Sequence, residues 1–345
     1  MTLFRRGPET DTEKSGIGRY GDKTERAILA RTERCENIFF SFSKRDGILS
    51  SLRRSLIDPL MQLMNLNGST DIYHATEELS GMFLPLVRGR KIVTFHHVSA
   101  PGEDMSGPIG YLIWKVAAAV TVRSADIILA ASPQTRDELV KTYKLDSKVI
   151  EVLTAEIGKQ FRTLENTERT STVGCVSSLM PRKNVAALIR SFSEALKMPG
   201  MSDTKLIICG KGPERDGLMR LTRELGIEDN TEFVSGLTDD EIVRFYNTVS
   251  AFVLPSSHEG LGLTVIEAQR CCAPVLYFKD ARIPEEVIRY AVPCDGEAEM
   301  AEQIRRLLSD ETYRNRIADT AFEYANGFGE DFEERIIDIY ERLIR

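Results

Sequence analysis

Short apolar runs rich in β-branched and aromatic residues alternate along this chain with longer stretches whose apolar positions recur at helical spacing. That alternation is the pattern of parallel-sheet α/β domains, in which each strand is followed by a helix that covers the sheet. The runs predict strands near 37–42, 71–74, 91–95, 127–131 and 149–153 in the first half, and near 172–176, 205–209, 232–234, 251–254 and 274–277 in the second. Helices are expected in most gaps, for example over 185–196 and 241–246. The expected fold class is α/β, with two doubly wound sheets. The polar stretch 158–171, rich in Thr, Glu and Arg, is the best candidate for a linker. Open α/β sheets bind ligands beyond the carboxyl ends of their strands, so two such domains in tandem are expected to face each other across a cleft.

Length and composition narrow this picture. A chain of 345 residues suits two domains, each able to bury its own core, and 42% hydrophobic with 28% charged residues is an ordinary globular balance. A net charge of -7 argues against nucleic acid as a partner. The longest apolar stretch, 109–122, is interrupted by Lys115 and falls short of the ~20 residues that a membrane span needs. No secretory leader pattern opens the chain, which predicts a cytoplasmic protein. Cys175 and Cys209 lie in strand-like runs, Cys271 and Cys272 are adjacent, and no C-x-x-C pair exists, so buried thiols are expected rather than disulfides or zinc ligands. The segment 44–64 joins Lys44, Arg45, Arg53 and Arg54 to apolar residues at helical spacing. It reads either as a helix packed on its own sheet or as a peripheral contact with an anionic membrane.

The densest chemistry lies in 257–269, where Glu259 sits in a glycine-rich loop after an apolar strand and Glu267 lies two turns into the helix that the loop opens. Unpaired N–H groups at such a helix start favour a phosphate. A carboxylate only accepts hydrogen bonds, so two carboxylates there would face hydroxyls, and the combination suggests a phosphorylated sugar. Two charges on a surface helix are the plain alternative. Glu-Gly-Leu-Gly-Leu-x-Val-Ile-Glu-Ala, followed by Ala273-Pro274-Val275, resembles the E-x7-E signature of family 4 glycosyltransferases, retaining nucleotide-sugar enzymes built from two Rossmann-like domains in the GT-B fold.

Other segments extend the resemblance. Gly16-Ile-Gly-Arg-Tyr-Gly21 is a weak dinucleotide fingerprint, because a charged stretch separates it from any strand in 2–6. It resembles instead the family's G-G-I-G-R-Y loop over the donor diphosphate, which would give Gly16 and Gly18 a donor-binding role. Lys91-Ile-Val-Thr-Phe-His-His-Val98 ends a strand in two histidines and is similar to the T-x-H motif, with His96 at the position that contacts the donor sugar. A neutral imidazole could donate to a sugar hydroxyl, or the backbone carbonyl could accept from one. His97 stands where many relatives carry Asp. Met180-Pro-Arg-Lys-Asn184 resembles the R-K-N segment, with Lys183 expected on the diphosphate and Arg182 assisting. Cations there stabilise the leaving group as its negative charge grows. Ser177-Ser178 replaces the family's G-R, so one phosphate-binding arginine is missing. Gly210-Lys-Gly-Pro213 is similar to the G-x-G-P loop near the base, though a simple strand-to-helix turn explains it too. No D-x-D triplet occurs, and metal independence is expected, with charge neutralisation from Lys183 and helix N-termini.

The resemblance implies an N-terminal Rossmann-like domain over 1–160 on the acceptor side, a donor-side domain over 161–328, and a C-terminal helix over 329–345 that crosses back to the first domain. It implies a retaining transfer of a hexose, mannose or glucose among the candidates, from a nucleoside diphosphate sugar to a glycan or lipid-linked hydroxyl acceptor in polysaccharide or glycolipid synthesis. Glu259 would hold the transferred sugar, Glu267 the ribose hydroxyls, and the N–H groups of Gly260, Leu261, Gly262 and Leu263 the sugar or phosphate. His96, Glu259 and Lys183 are the expected catalytic residues. A sugar-nucleotide 2-epimerase of the same architecture and a non-catalytic sugar-nucleotide-binding relative are the alternatives.

Overall fold

The computed structural model of the chain describes residues 1–6, 16–32, 34–40, 57–65, 71–98 and 107–345. They form two compact units, Met1–Glu156 with Gly329–Arg345, and Ile157–Phe328. Unit 1 contains β1 (Thr2–Arg6), α1 (Gly16–Leu29), β2 (Glu36–Phe40), α2 (Asp58–Asn65), β3 (Ile72–Ala75), β4 (Arg90–Phe95), α3 (Gly107–Ser124), β5 (Ile127–Ala130), α4 (Pro133–Tyr143) and β6 (Ile150–Val152). Unit 2 contains β7 (Thr170–Val176), α5 (Val185–Leu196), β8 (Lys205–Cys209), α6 (Arg215–Glu224), β9 (Thr231–Val234), α7 (Asp239–Thr248), β10 (Val249–Leu254), α8 (Leu263–Arg270), β11 (Val275–Phe278), α9 (Glu285–Ile288), β12 (Val292–Cys294), α10 (Gly296–Ser309) and α11 (Glu311–Asn326). The last helix, α12 (Phe332–Ile344), belongs to unit 1.

Each unit holds one six-stranded sheet, β2-β1-β3-β4-β5-β6 in unit 1 and β12-β11-β10-β7-β8-β9 in unit 2. Every strand pair is parallel. The second order is the Rossmann one, and the first begins as the flavodoxin type does; both reverse direction beside their first strand, where ligands of such sheets bind. Strands of a parallel sheet covered on both faces lose polar alternation, and β10 is buried at every position. On one face of the unit 2 sheet, Leu188, Ile189 and Phe192 of α5 and Met300 and Ile304 of α10 join Val173, Leu206 and Val253 in one core. Each such side chain stabilises the unit by roughly 1.5–3 kcal/mol.

Two strands, β1 and β12, are additional to those that the apolar runs predict. β1 is five residues at the chain start, and β12 is Val292-Pro293-Cys294 at a sheet edge. Proline donates no ladder hydrogen bond, which an edge tolerates. Of the basic apolar segment 44–64, residues 44–56 lie outside the described residues. On α2, Leu63 packs on the unit 1 core, whereas Leu60, Met61 and Met64 are exposed. Among the described residues no helix is long and apolar enough to cross a membrane. All six cysteines are free thiols, and Cys175, Cys209, Cys271 and Cys294 are buried.

The loops after β7 and β8 lie backbone against backbone. Ser177 donates its N–H to the Cys209 carbonyl at 2.9 Å, Leu179 to Lys211 at 2.8 Å, and Glu214 to Leu179 at 3.1 Å. A Cβ on Gly210 would stand 1.8 Å from the Ser177 carbonyl oxygen, and one on Gly212 would stand 2.2 Å from that of Leu179. The glycines of Gly210-Lys-Gly-Pro213 are thus required by the neighbouring loop. Gly212→Ala should lower stability by about 1–3 kcal/mol through backbone displacement. Gly217→Ala, inside α6 with nothing nearer than Arg220 at 3.8 Å, should raise it by about 0.5–1 kcal/mol. Urea unfolding of the two variants checks the opposite signs.

Candidate functional site

The reversal in unit 2 falls between β7 and β10, and the residues that follow these strands bring Arg182, Lys183 and Glu259 into one charged cluster. After β7 the chain makes a 3-10 turn, Pro181–Lys183, that ends on Asn184 in the left-handed region (φ 50) before α5 starts. After β10 it runs through Ser256 to Gly262, which is left-handed (φ 81) and serves as N-cap of α8. The Ser257 N–H and hydroxyl both donate to the Arg182 carbonyl, at 2.9 and 3.0 Å. The Arg282 N–H donates to the Ser257 carbonyl at 2.8 Å, and the Glu259 N–H to the Arg282 carbonyl at 2.9 Å. His258 and Arg282 thereby form one parallel bridge that anchors the loop to the segment after β11.

These bonds bring Lys183 and Glu259 together. Lys183 Nζ donates to Glu259 Oε1 at 2.5 Å, Ser256 Oγ donates to the same oxygen at 2.6 Å, and Arg182 approaches Oε2 at 3.5 Å while donating to the His258 carbonyl at 3.2 Å. Glu259 is 7% exposed. Burial pushes its carboxyl up, but Lys183, Arg182 and the Ser256 hydroxyl together outweigh burial and hold it below the usual carboxylate range. A buried carboxylate is tolerated here because two cations face it.

Glu267 lies on α8, 6% exposed, and accepts from the Tyr246 hydroxyl at 3.1 Å. Leu261 is buried, whereas Gly260, Gly262 and Leu263 are partly exposed at the loop that opens α8. Gly210 lies one strand away, against Ser177.

Gly16, Gly18 and His96 belong to unit 1. The segment Gly16–Gly21, expected as a loop, forms the first turns of α1. Among the described residues no atom lies within 4 Å of a Cβ built on Gly16. Tyr20 of this segment meets the His96 ring edge to face, centroids 4.9 Å apart. His96 Nε2 lies 2.8 Å from the Thr76 carbonyl oxygen, which only accepts, so Nε2 carries the proton. Burial lowers the imidazole pKa against the opposing pull of the Glu78 carboxylate and the Thr76 carbonyl, and the ring is neutral at pH 7. The ring proton thus points at the Thr76 carbonyl, and Nδ1 carries the lone pair. Ser256, Tyr246, Tyr20 and Thr76 all shape these clusters and were not singled out from the sequence. Of these, Tyr20 alone lies inside a motif of the resemblance, Gly16–Gly21.

The pair between Lys183 and Glu259 makes stability depend on pH with a defined sign. A carboxyl whose folded pKa is depressed stabilises the fold fully above its unfolded value near 4.5, and that stability is lost as pH falls through the folded value. Lys183→Met should cost about 3 kcal/mol at pH 7 by leaving Glu259 short of one cation. Most of that cost should vanish at acid pH, and Lys183→Met combined with Glu259→Gln should recover part of it at pH 7. Urea titrations across pH 3–7 check both statements.

Residues 156–324 match the family model described as Glycosyl transferases group 1. The chain is 25% identical over 293 residues to the D-inositol 3-phosphate glycosyltransferase of Kribbella flavida, covering 76% of this chain and 68% of that protein. It is 27% identical over 229 residues to the enzyme of the same name from Corynebacterium diphtheriae, where it spans about half of the relative, 53%. Among solved structures it is similar to a sucrose-phosphate synthase from Thermosynechococcus elongatus, with a TM-score of 0.79, 16% identity and coverage of 99% and 98% of the two chains. It is also similar to Anabaena Alr3699/HepE in complex with UDP-glucose, with a TM-score of 0.75, 16% identity and 99% coverage of both. Residues 156–324 thus match the group 1 glycosyltransferase model, the whole chain has the GT-B fold, and glycosyl transfer is the activity that these similarities support.

Proposed function

We propose that this chain is a retaining family 4 glycosyltransferase that moves a hexosyl group from a nucleoside diphosphate sugar to a hydroxyl of a glycan or lipid-linked acceptor. The observation that carries the reading is the convergence of Lys183 and Glu259 at the carboxyl ends of β7 and β10, on the two loops flanking the point where the strand order reverses. A cation at that point suits a diphosphate meeting the sheet, and a carboxylate beside it suits hydroxyls, which supports the reading. A similar structure, that of HepE, holds UDP-glucose, which supports a nucleotide-sugar donor.

Lys183 and Glu259 neutralise each other. An arriving diphosphate replaces the carboxylate as the partner of Lys183, and Glu259, still held by Ser256 and faced by Arg182, turns its released oxygen to the hydroxyls of the transferred sugar. As the glycosidic bond breaks, negative charge accumulates on the leaving phosphate, and Lys183 stabilises that state more than the ground state. Arg182 takes the place of the arginine missing at Ser177-Ser178. The Tyr246 hydroxyl orients Glu267 toward the ribose. His96 accepts a hydrogen bond from the donor sugar at Nδ1. Charge neutralisation by Lys183 and Arg182 makes the reaction metal-independent, and the protein works in the cytoplasm, in contact with a membrane surface when the acceptor is lipid-linked.

A thermal-shift screen against UDP-, GDP- and ADP-sugars tests donor binding, because a ligand specific for the folded state raises the melting temperature. One nucleotide should stabilise the wild type and fail to stabilise Lys183→Ala. Absence of any shift at millimolar concentrations would remove the reading. With the donor identified, Lys183→Ala should lower kcat/KM about 10²–10³-fold, the usual effect of removing one group that stabilises developing charge. EDTA should leave the rate unchanged, and NMR of the first-formed product should show the anomeric configuration of the donor.

A further inference from the structure

We infer that the C-terminal helix is a positioning element for His96: Tyr340, His74 and Thr94 form a buried hydrogen-bonded chain ending on the Tyr20 hydroxyl, and the Tyr20 ring holds the His96 imidazole with Nδ1 as its unprotonated nitrogen. The inference rests on the donor-sugar role proposed for His96. Its geometry lies wholly within unit 1.

The chain runs through four elements. Tyr340 Oη of α12 lies 2.7 Å from His74 Nδ1 of β3, His74 Nε2 lies 2.9 Å from Thr94 Oγ1 of β4, and Thr94 Oγ1 lies 2.9 Å from the Tyr20 hydroxyl of α1. His74 and Thr94 are fully buried, and Tyr20 and Tyr340 are 2% and 5% exposed. Phenylalanine and aliphatic residues would fill this space without desolvating any polar atom. Each polar group left unpaired here would cost about 1–3 kcal/mol, so the members constrain one another's position.

The chain also has a direction. Burial, with His96 adding to it, pushes the His74 pKa down to about 3, so the ring carries a single proton throughout the physiological range. One ring nitrogen donates and the other accepts, which fixes how the hydroxyls on either side point. Burial raises the Tyr20 and Tyr340 hydroxyls far above their ordinary value, and both stay protonated.

The helix α12 grips Tyr20 twice. Phe332 meets the Tyr20 ring edge to face at 5.4 Å, and Tyr340, about two turns further on, holds the hydroxyl through His74 and Thr94. The Tyr20 ring so clamped lies at 85° to the imidazole of His96. Gly16, Gly18 and Arg19 precede Tyr20 in α1 and take their place from the same anchor.

The test is made on the full chain, labelled with 15N, where only four histidines contribute ring signals. Two-bond 1H–15N spectra assign the tautomer of each ring, and titration gives its pKa. His74→Gln keeps a side-chain amide within reach of Thr94, and His74→Asn keeps one near Tyr340 only. The first variant cuts Tyr340 of the C-terminal helix off from Thr94 and Tyr20, and should mix the His96 tautomers and raise KM for the donor, to a smaller extent than the second. The second, and Tyr20→Leu more strongly, should mix the His96 tautomers, move its pKa toward ~6.5 and raise KM about tenfold with little change in kcat, the scale of one lost hydrogen bond. Tyr340→Phe, which keeps the packing, should shift the His74 tautomer pattern. A merely structural chain would destabilise both His74 variants alike and leave His96 untouched; that result overturns the inference. If His96 follows the chain while no nucleotide sugar binds the wild type, the coupling stands and the proposed donor role falls.

Discussion

A carboxylate and two cations held together under cover of protein impose the tightest constraint on unit 2. Glu259 is buried and sits 2.5 Å from Lys183, with Arg182 on its other oxygen. Desolvating such charges costs several kcal/mol per ion unless their partners are well placed. Placement depends on the backbone: Ser257 bonds twice to the Arg182 carbonyl, and the loop is tied to Arg282 on its far side. The loop that carries Lys183 rests in turn on the glycines after β8, which admit no Cβ. A charge pair, two loops and two obligatory glycines are therefore one mechanical unit built on three adjacent parallel strands.

Much of that unit was legible because its chemistry is written in short segments. Lys183 opens a helix directly after a strand, and Glu259 and Glu267 bracket a glycine-rich turn, so spacing alone places them on loops and a helix start. The partners that make the pair tenable were not legible. Ser256 is one serine among many, and its contact with Glu259 Oε1 depends on the turn that Gly262 permits at φ 81. Tyr246, which holds Glu267, reads as an apolar position of α7, and its hydroxyl matters only after β10 and α8 have folded beside it. The glycines of the loop similar to G-x-G-P, read as a turn near the base, also proved ambiguous, because Gly210 and Gly212 are explained by a neighbouring carbonyl.

The strands were legible wherever both faces are apolar and failed where physics relaxes that requirement. β12 tolerates Pro293 because it is an edge strand of three residues. In unit 1, His74 sits on β3, where all four positions are buried, so no polar alternation marks it as different from its neighbours. Its partners lie 20 and 266 positions away in sequence, on β4 and on α12, a pairing that no local pattern encodes. The Gly16–Gly21 segment shows the converse: its composition was noticed, but helix and loop are equally compatible with it until α1 is seen to start at Gly16.

The two units solve one problem in different ways. A side chain that must meet a ligand needs its orientation set beforehand, since reorientation during the reaction is a cost that preorganised groups avoid. Unit 2 orients Glu259 with opposite charges, an arrangement whose strength an incoming anion can take over. Unit 1 orients His96 with neutral groups, the Thr76 carbonyl and the Tyr20 ring, neither of which an anion would displace. The lysine can therefore exchange its partner while the imidazole keeps its own. That difference follows from burial and charge alone: one orientation is set by a partner that an anion could take over, and the other by neutral partners that it could not.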